Sequence, residues 1–210
     1  VREVIGDNIR QFFRRKFVGS RYHYIPVLNG RHDIDTNFDL IESYKNRSIN
    51  REYSTWISYD PRGTDIKSFG LRPNRYICMQ PGAANGQDTP KTWDPQNFVQ
   101  LCNSIRIRYP DLLVILLGDK HDKAKIADQY TWPENAVDAI GQTSVEELVT
   151  ILRGSLCVVV HDSGLMHISN AIGVPIIALY GPTNYAATRP LGENVVILFS
   201  KTEAFGIMYD

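Results

Sequence analysis

The run Val158-Val-Val-His161-Asp162-Ser163-Gly164-Leu165-Met166-His167 sets polar side chains and a glycine directly behind an apolar stretch of strand length. Pro175–Tyr180 followed by Gly181-Pro182-Thr183 repeats the layout. A helix starting at Gly164 leaves its first backbone N–H groups without intrahelical acceptors, and its dipole favours an anion there. Gly164 also lets a ligand approach the main chain closely. The chemistry suits a phosphate or diphosphate. Asp162 would repel such a group, so it takes the N-cap or a supporting place behind it. Ser163, His167 and Asn170 fall at i, i+4 and i+7, a polar stripe opposite Leu165, Ile168 and Ile172. His167 then either looks into the cleft beside the Ser163 hydroxyl or is an ordinary surface histidine. Gly181 permits a tight turn, and Thr183 offers a hydroxyl and a helix N-cap. Lys91, in the loop after an upstream strand, is either a solvated lysine or the positive charge a diphosphate requires.

Three other chemistries fit less well. A serine hydrolase needs Gly-x-Ser-x-Gly, and residues 161–165 are His-Asp-Ser-Gly-Leu. His161, Asp162 and His167 match no familiar metal-ligand spacing. The Gly-x-Gly-x-x-Gly of dinucleotide-dependent oxidoreductases does not occur.

The elements that must position these residues follow an alternating pattern. Tyr76–Gln80 reads as a buried strand leading into Pro81-Gly-Ala-Ala-Asn-Gly86. Asp94 and Pro95 open a helix as N-cap and first-turn proline, with Phe98, Leu101, Cys102 and Ile105 as its stripe. Leu112–Leu117 is a continuous apolar run, as in a parallel strand covered on both faces. A charged helix over 120–130 and a short strand near Val137 lead to Gly141-Gln142-Thr143. Ser144 and Glu147 form a capping box ahead of a stripe of Val145, Leu148, Val149 and Leu152. Strands at Leu156–Val160, Pro175–Tyr180 and Val195–Phe199 enclose a helix over Gly164–Ile172, with Gly173 at C′. The alternation predicts an α/β fold with a doubly wound, Rossmann-like parallel sheet. Its carboxyl rim is where ligands bind.

Residues 1–70 are different in kind. A basic amphipathic helix is expected over 7–17, which either lies on an anionic membrane surface or is a plain surface helix. A second helix spans 32–45, with Phe38 and Ile41 available for packing. Residues 46–75 read as an extended polar linker. The expected division is therefore 1–70, a partial helical segment, and 71–210, a Rossmann-like domain. Residues 1–75 hold fourteen Lys and Arg against nine Asp and Glu, and the remainder holds the reverse. The basic part suits an acidic partner or is a solvated face, and the balance argues against nucleic-acid binding. No apolar run is long enough for a transmembrane helix. Cys78, Cys102 and Cys157 lack metal spacing and read as small core residues of a reduced protein, two in strands and one on a helix.

Together, His161-Asp-Ser-Gly-Leu-Met-His167 and Ala171-Ile-Gly173-Val-Pro175-Ile-Ile-Ala-Leu-Tyr-Gly181-Pro-Thr183 resemble the signature of heptosyltransferase-type enzymes, glycosyltransferase family nine. Pro81-Gly-Ala83 with Lys91-Thr-Trp93 is similar to a second block of that family. His32-Asp-Ile-Asp-Thr-Asn37-Phe-Asp-Leu40 is similar to the segment closing its first domain. The resemblance runs over about residues 25–195.

It implies the C-terminal, donor-binding half of a GT-B architecture. The implied reaction is transfer of a sugar, with inversion, from a nucleotide-sugar donor (ADP-heptose above all) to a lipopolysaccharide-core acceptor, without cofactor or metal. By the same resemblance Ser163, Gly164 and His167 contact the donor diphosphate and Asp162 supports that loop. Lys91 neutralises the leaving phosphate, and Gly181 and Thr183 lie near the donor. Asp119 or Asp122 would hold the ribose, as acids after the second strand do in nucleotide folds, and Gln142 would line the base. The loop 84–90 looks longer than in familiar members. The family's carboxylate general base, from the start of the first domain, has no match here. This chain alone is thus expected to bind donor and transfer sugar poorly or not at all. The alternative is a non-catalytic or truncated nucleotide-sugar-binding module. A cytoplasmic location, peripheral at the inner membrane, would follow from the enzyme reading.

Overall fold

The computed structural model describes residues 4–6, 22–24, 31–53, 69–82, 92–181 and 183–199. The expected helix over 7–17, the loop 84–90 and most of the expected linker lie outside them. The chain divides into two compact units, Val1–Ser54 with Asn184–Arg189 and Thr55–Thr183 with Pro190–Asp210.

In the first unit, β1 (Val4–Gly6) pairs in parallel with β2 (Tyr22–Tyr24). Helix α1 (Asp33–Lys45) begins at His32, whose Nδ1 accepts the Ile34 N–H at 3.1 Å. It ends at Asn46 in the left-handed region. No α1 side chain is buried, and Ile41 is 42% exposed. The helix is tied instead by charge and rings. Arg31 and Arg51 each reach Asp39 at 2.5 Å, and Arg51 reaches Glu42 at 2.7 Å. Phe38 packs edge-on to Tyr53, whose hydroxyl donates to Asp35 at 2.6 Å.

The second unit is a six-stranded sheet with β3 (Tyr76–Met79), β4 (Leu113–Leu116), β5 (Ala136–Asp138), β6 (Val158–His161), β7 (Ile176–Tyr180) and β8 (Val195–Phe199). Every pairing is parallel, and the order is β5-β4-β3-β6-β7-β8. The helices of this unit are α2 (Pro95–Arg108), α3 (Lys120–Asp122, continued by a π turn Lys123–Ala127), α4 (Val145–Gly154) and α5 (Gly164–Ala171). Ile77, Met79, Val114, Leu116 and Val159 form one core layer with Phe98 and Cys102 of α2. The alternate residues Tyr76, Cys78, Val158 and Val160 are also buried, as the two-residue period of a strand requires. The Tyr76 hydroxyl donates to the Ile151 carbonyl of α4 at 2.7 Å, fixing that helix over the opposite face.

Local signals hold closely. Asp94 caps α2 by accepting the Gln96 N–H at 2.8 Å, and Ser144 and Glu147 form the reciprocal capping box of α4. Gly173 follows α5 at φ +75°. Three expectations are corrected. Val145 is the first residue of α4 and 62% exposed, and the stripe is completed by Ile151 instead, because the helix meets the sheet through its later turns. Asn170 leaves the polar stripe and is buried, where its Oδ1 accepts the Gly192 N–H at 2.8 Å. Cys157 precedes β6 rather than lying in it, and its carbonyl accepts the Cys78 N–H at 3.0 Å. All three cysteines are free thiols, and burial pushes Cys102 up to about 12.

Candidate nucleotide site at the carboxyl rim

Because all six strands are parallel, their carboxyl ends share one rim. Strands β4 and β5 follow β3 outward on one side, and β6 returns to its other side. The crevice at such a switch point is where open α/β sheets take ligands. Here it lies between the end of β3, Gln80–Gly82, and the end of β6, His161–Gly164. The opposite rim has a depression lined by Gly70, Arg72, Arg75, Asp111 and Leu113, but parallel winding turns the helix N-termini away from it.

The N-cap of α5 is Ser163, not Asp162, and the Ser163 side chain makes no hydrogen bond to the helix it caps. The Ser163 hydroxyl donates across the crevice to Gln80 Oε1 at 2.7 Å. Its single proton is thereby spent, so what this turn offers an anion is backbone N–H. Gly164 is exposed, and a Cβ there would meet none of the described residues within 4 Å, which leaves space among them in front of the first turn. His167 is exposed one turn on, on the face it shares with Ser163 and Gly164. Asp162 is half-buried and has a partner of its own.

At the end of β7, Gly181 is half-buried and Thr183 wholly buried. Thr183 does not cap the next helix, α6 (Tyr185–Thr188). Asn184 does, accepting the Ala186 N–H at 3.1 Å. The asparagine is one residue nearer the helix and its amide oxygen has the reach. Thr183 Oγ1 is left with no hydrogen-bond partner among the described residues, an unusual state for a buried hydroxyl.

On the other side of β3, Asp119 is exposed and its Oδ1 accepts the N–H groups of His121 and Asp122 at 2.7 and 3.1 Å. Asp122 is 4% exposed, and its carboxylate accepts the Asp119 N–H at 3.2 Å. It lies against Gly82 and Gly118, so a Cβ on either glycine would collide with it. Burial raises its pKa. Gln142 is exposed beyond β5, its amide donating to the Asp138 carbonyl at 2.9 Å. Gly141, at φ +69°, brings that turn against Lys120, and its N–H donates to the Gly118 carbonyl at 3.0 Å. Lys91 lies outside the described residues.

From its sequence context His161 reads only as a metal ligand of unfamiliar spacing. His161 is fully buried at the end of β6. Its Nε2 accepts the Trp93 N–H at 2.9 Å, and Nδ1 sits 3.2 Å from the Gly82 carbonyl oxygen. Phe98 meets both rings edge-on, Trp93 at 5.1 Å and His161 at 5.4 Å. The signal available in the sequence was a titratable residue ending an otherwise apolar strand, which must find partners. Among the described residues no cluster of His, Cys, Asp and Glu is placed to hold a metal ion, and no helix is long and apolar enough to cross a membrane.

The sequence matches glycosyltransferase family 9 (heptosyltransferase) over residues 15–205. It is 33% identical over 134 residues to lipooligosaccharide heptosyltransferase 2 of Haemophilus influenzae, covering 61% of this chain and 37% of that protein. It is 23% identical over 207 residues to lipopolysaccharide heptosyltransferase 3 of Escherichia coli K12, covering 93% of this chain and 56% of that protein. Among solved structures, the glycosyl transferase family 9 protein of Veillonella parvula superposes with a TM-score of 0.69 at 22% identity, over 90% of this chain and 54% of the other. E. coli ADP-heptose lps heptosyltransferase II gives 0.59 at 20% identity, over 93% and 67%. This chain therefore spans only part of the relatives it matches, and its sheet has the Rossmann-like form of the C-terminal half of a GT-B fold.

Proposed function

The chain belongs to glycosyltransferase family 9, and on that premise we propose that its second unit holds the nucleotide-sugar donor of a heptosyl transfer to a lipopolysaccharide-core acceptor. The observation that carries this reading is the N-terminus of α5 at the switch point of the sheet, where the Ser163 side chain turns away from the helix and no described residue stands over Gly164.

In this reading the donor diphosphate lies against the first-turn N–H groups at Ser163 and Gly164, with His167 beside it and Asp162 supporting the turn. An acceptor hydroxyl attacks the anomeric carbon from the face opposite the diphosphate, its proton passing to a carboxylate base that none of these residues supplies. The bond to the leaving oxygen breaks, the anomeric centre inverts, and the nucleoside diphosphate, ADP for preference, departs. Negative charge grows on the leaving phosphate, where preorganised donors are worth most. Lys91 supplies the countercharge, and no metal is required. Thr183 directs its unpartnered hydroxyl to the donor beside Gly181. Asp119, the exposed acid, takes the ribose, Asp122 holds the glycines beneath it, and Gln142 lines the base. Such a reaction places the protein in the cytoplasm at the inner membrane face.

The test is calorimetric titration of ADP, GDP and UDP into the chain. ADP should bind most tightly, and Lys91→Ala and His167→Ala should each weaken it about tenfold, about 1.4 kcal/mol. Gly164→Val, which fills the open space, should weaken it further. Unchanged ADP binding in the Lys91 and His167 variants would reject the site. Release of ADP from ADP-heptose in the presence of acceptor, assayed on the whole protein, separates an enzyme from a binding module.

A further inference from the structure

The imidazole of His161, at the end of β6, bonds to both ends of the connection between β3 and α2. Its Nε2 accepts from Trp93 and so carries no proton, which puts the ring proton of the neutral form on Nδ1, directed at the Gly82 carbonyl. One ring thus holds Gly82, where the chain leaves β3, and Trp93, where it approaches α2. In the sequence Lys91 lies between them, two residues before Trp93. Gly82 is confined on its other side by the Asp122 carboxylate. A second tie, Ser163 to Gln80, crosses the same gap.

We propose that His161 is a positioning residue for the donor site: by binding Gly82 and Trp93 at once, it sets the spacing between the ends of β3 and β6 that a nucleoside diphosphate enters. This rests on the donor reading above. The ring touches no ligand and acts only through the two backbone groups. Its burial supports the role, since a bond lost at either nitrogen leaves a polar group without water to replace it. Burial also holds the imidazole pKa below its usual value, which keeps the Nε2 lone pair available at neutral pH.

The experiment compares the full chain with His161→Gln and His161→Phe. Glutamine keeps an acceptor at the reach of Nε2. Phenylalanine keeps the ring against Phe98 and loses both bonds. Amide exchange at Trp93, followed by NMR without ligand, should quicken about tenfold or more in His161→Phe and stay close to wild type in His161→Gln. ADP affinity should fall about tenfold in His161→Phe and stay within about threefold in His161→Gln. A folded His161→Phe protein that binds ADP as wild type does overturns the proposal, as does Trp93 exchange that is equal in all three. Should His161→Phe fail to fold, His161→Asn replaces it. Asparagine reaches only as far as Nδ1, so ADP affinity equal to that of His161→Gln overturns the proposal too. Wild-type protein that binds no ADP rejects the donor reading, and this proposal with it. Failure of the proposal alone appears as tight wild-type binding that His161→Phe leaves unchanged.

Discussion

Helices α1 and α2 are nearly equal in length, 13 and 14 residues, and each opens on a side-chain cap and closes with basic residues in its last turn. Yet α2 buries Pro95, Phe98, Val99 and Cys102, while α1 buries nothing. One is held by apolar area removed from water, and the other by the Arg31, Asp39, Arg51 and Glu42 network and the Phe38–Tyr53 contact. The same local signals thus accompany two kinds of attachment. Burial is insensitive to salt and pH, whereas exposed ion pairs are weak and screened. The rim residues are set by elements of the first kind.

The comparison can be broken most sharply at Phe98. Phe98→Ala should cost about 3–5 kcal/mol in denaturant unfolding of the second unit. It should also loosen Trp93 and His161, because the ring stands between them. A loss below about 1 kcal/mol would mean that the α2 layer repacks and is not the anchor it resembles. Next in size is Asp94→Ala, which removes the cap of α2 and should cost about 1 kcal/mol on the same measurement. No change would show that tertiary contacts alone fix where this helix begins.

The smallest effect is expected in α1. Asp39 is held below the usual carboxylate range, first by the hydrogen bond from Arg31, and Glu42 likewise by that from Arg51. A depressed carboxyl pKa contributes stability above its unfolded value and loses it as pH falls through the folded value. Amide exchange in α1 should therefore quicken as pH drops below about 4, after correction for the intrinsic rate. It should also quicken in about 1 M salt, where the Debye length is about 3 Å. Arg51→Met should reduce both sensitivities, leaving the share carried by the Arg31–Asp39 pair, while α2 is untouched. If salt and Arg51→Met both leave α1 exchange unaltered, the rings hold it and the ion pairs do not.

What the sequence disclosed and what it hid divide along the same physical line. Asp94-Pro95, the Ser144–Glu147 box, Gly173 and the apolar runs of β3, β4 and β6 were legible because each signal acts within a turn or a strand. The Asn170 amide was misplaced because its partner, Gly192, arrives from beyond β7, and a polar residue on a helix gives no sign that a distant N–H will draw it inward. Ser163 was read rightly as part of the α5 turn, but the direction of its hydroxyl depends on Gln80, 83 residues away. His161 was passed over for the same reason, its partners being 79 and 68 residues distant. The rim was legible as a place, whereas the bonds across it depend on tertiary proximity.

The position of β3 in the middle of the sheet has a consequence in time. It is the first strand of that sheet to be made, yet one edge stays open until β6 is synthesised and Cys78 can register against Val158. Pairings so remote along the chain are slow to form, because loop closure must come before any contact rewards it. The crevice does not exist before that event. On the donor reading proposed above, pulse-labelled chains should gain ADP binding together with protection of β3 rather than with protection of α2.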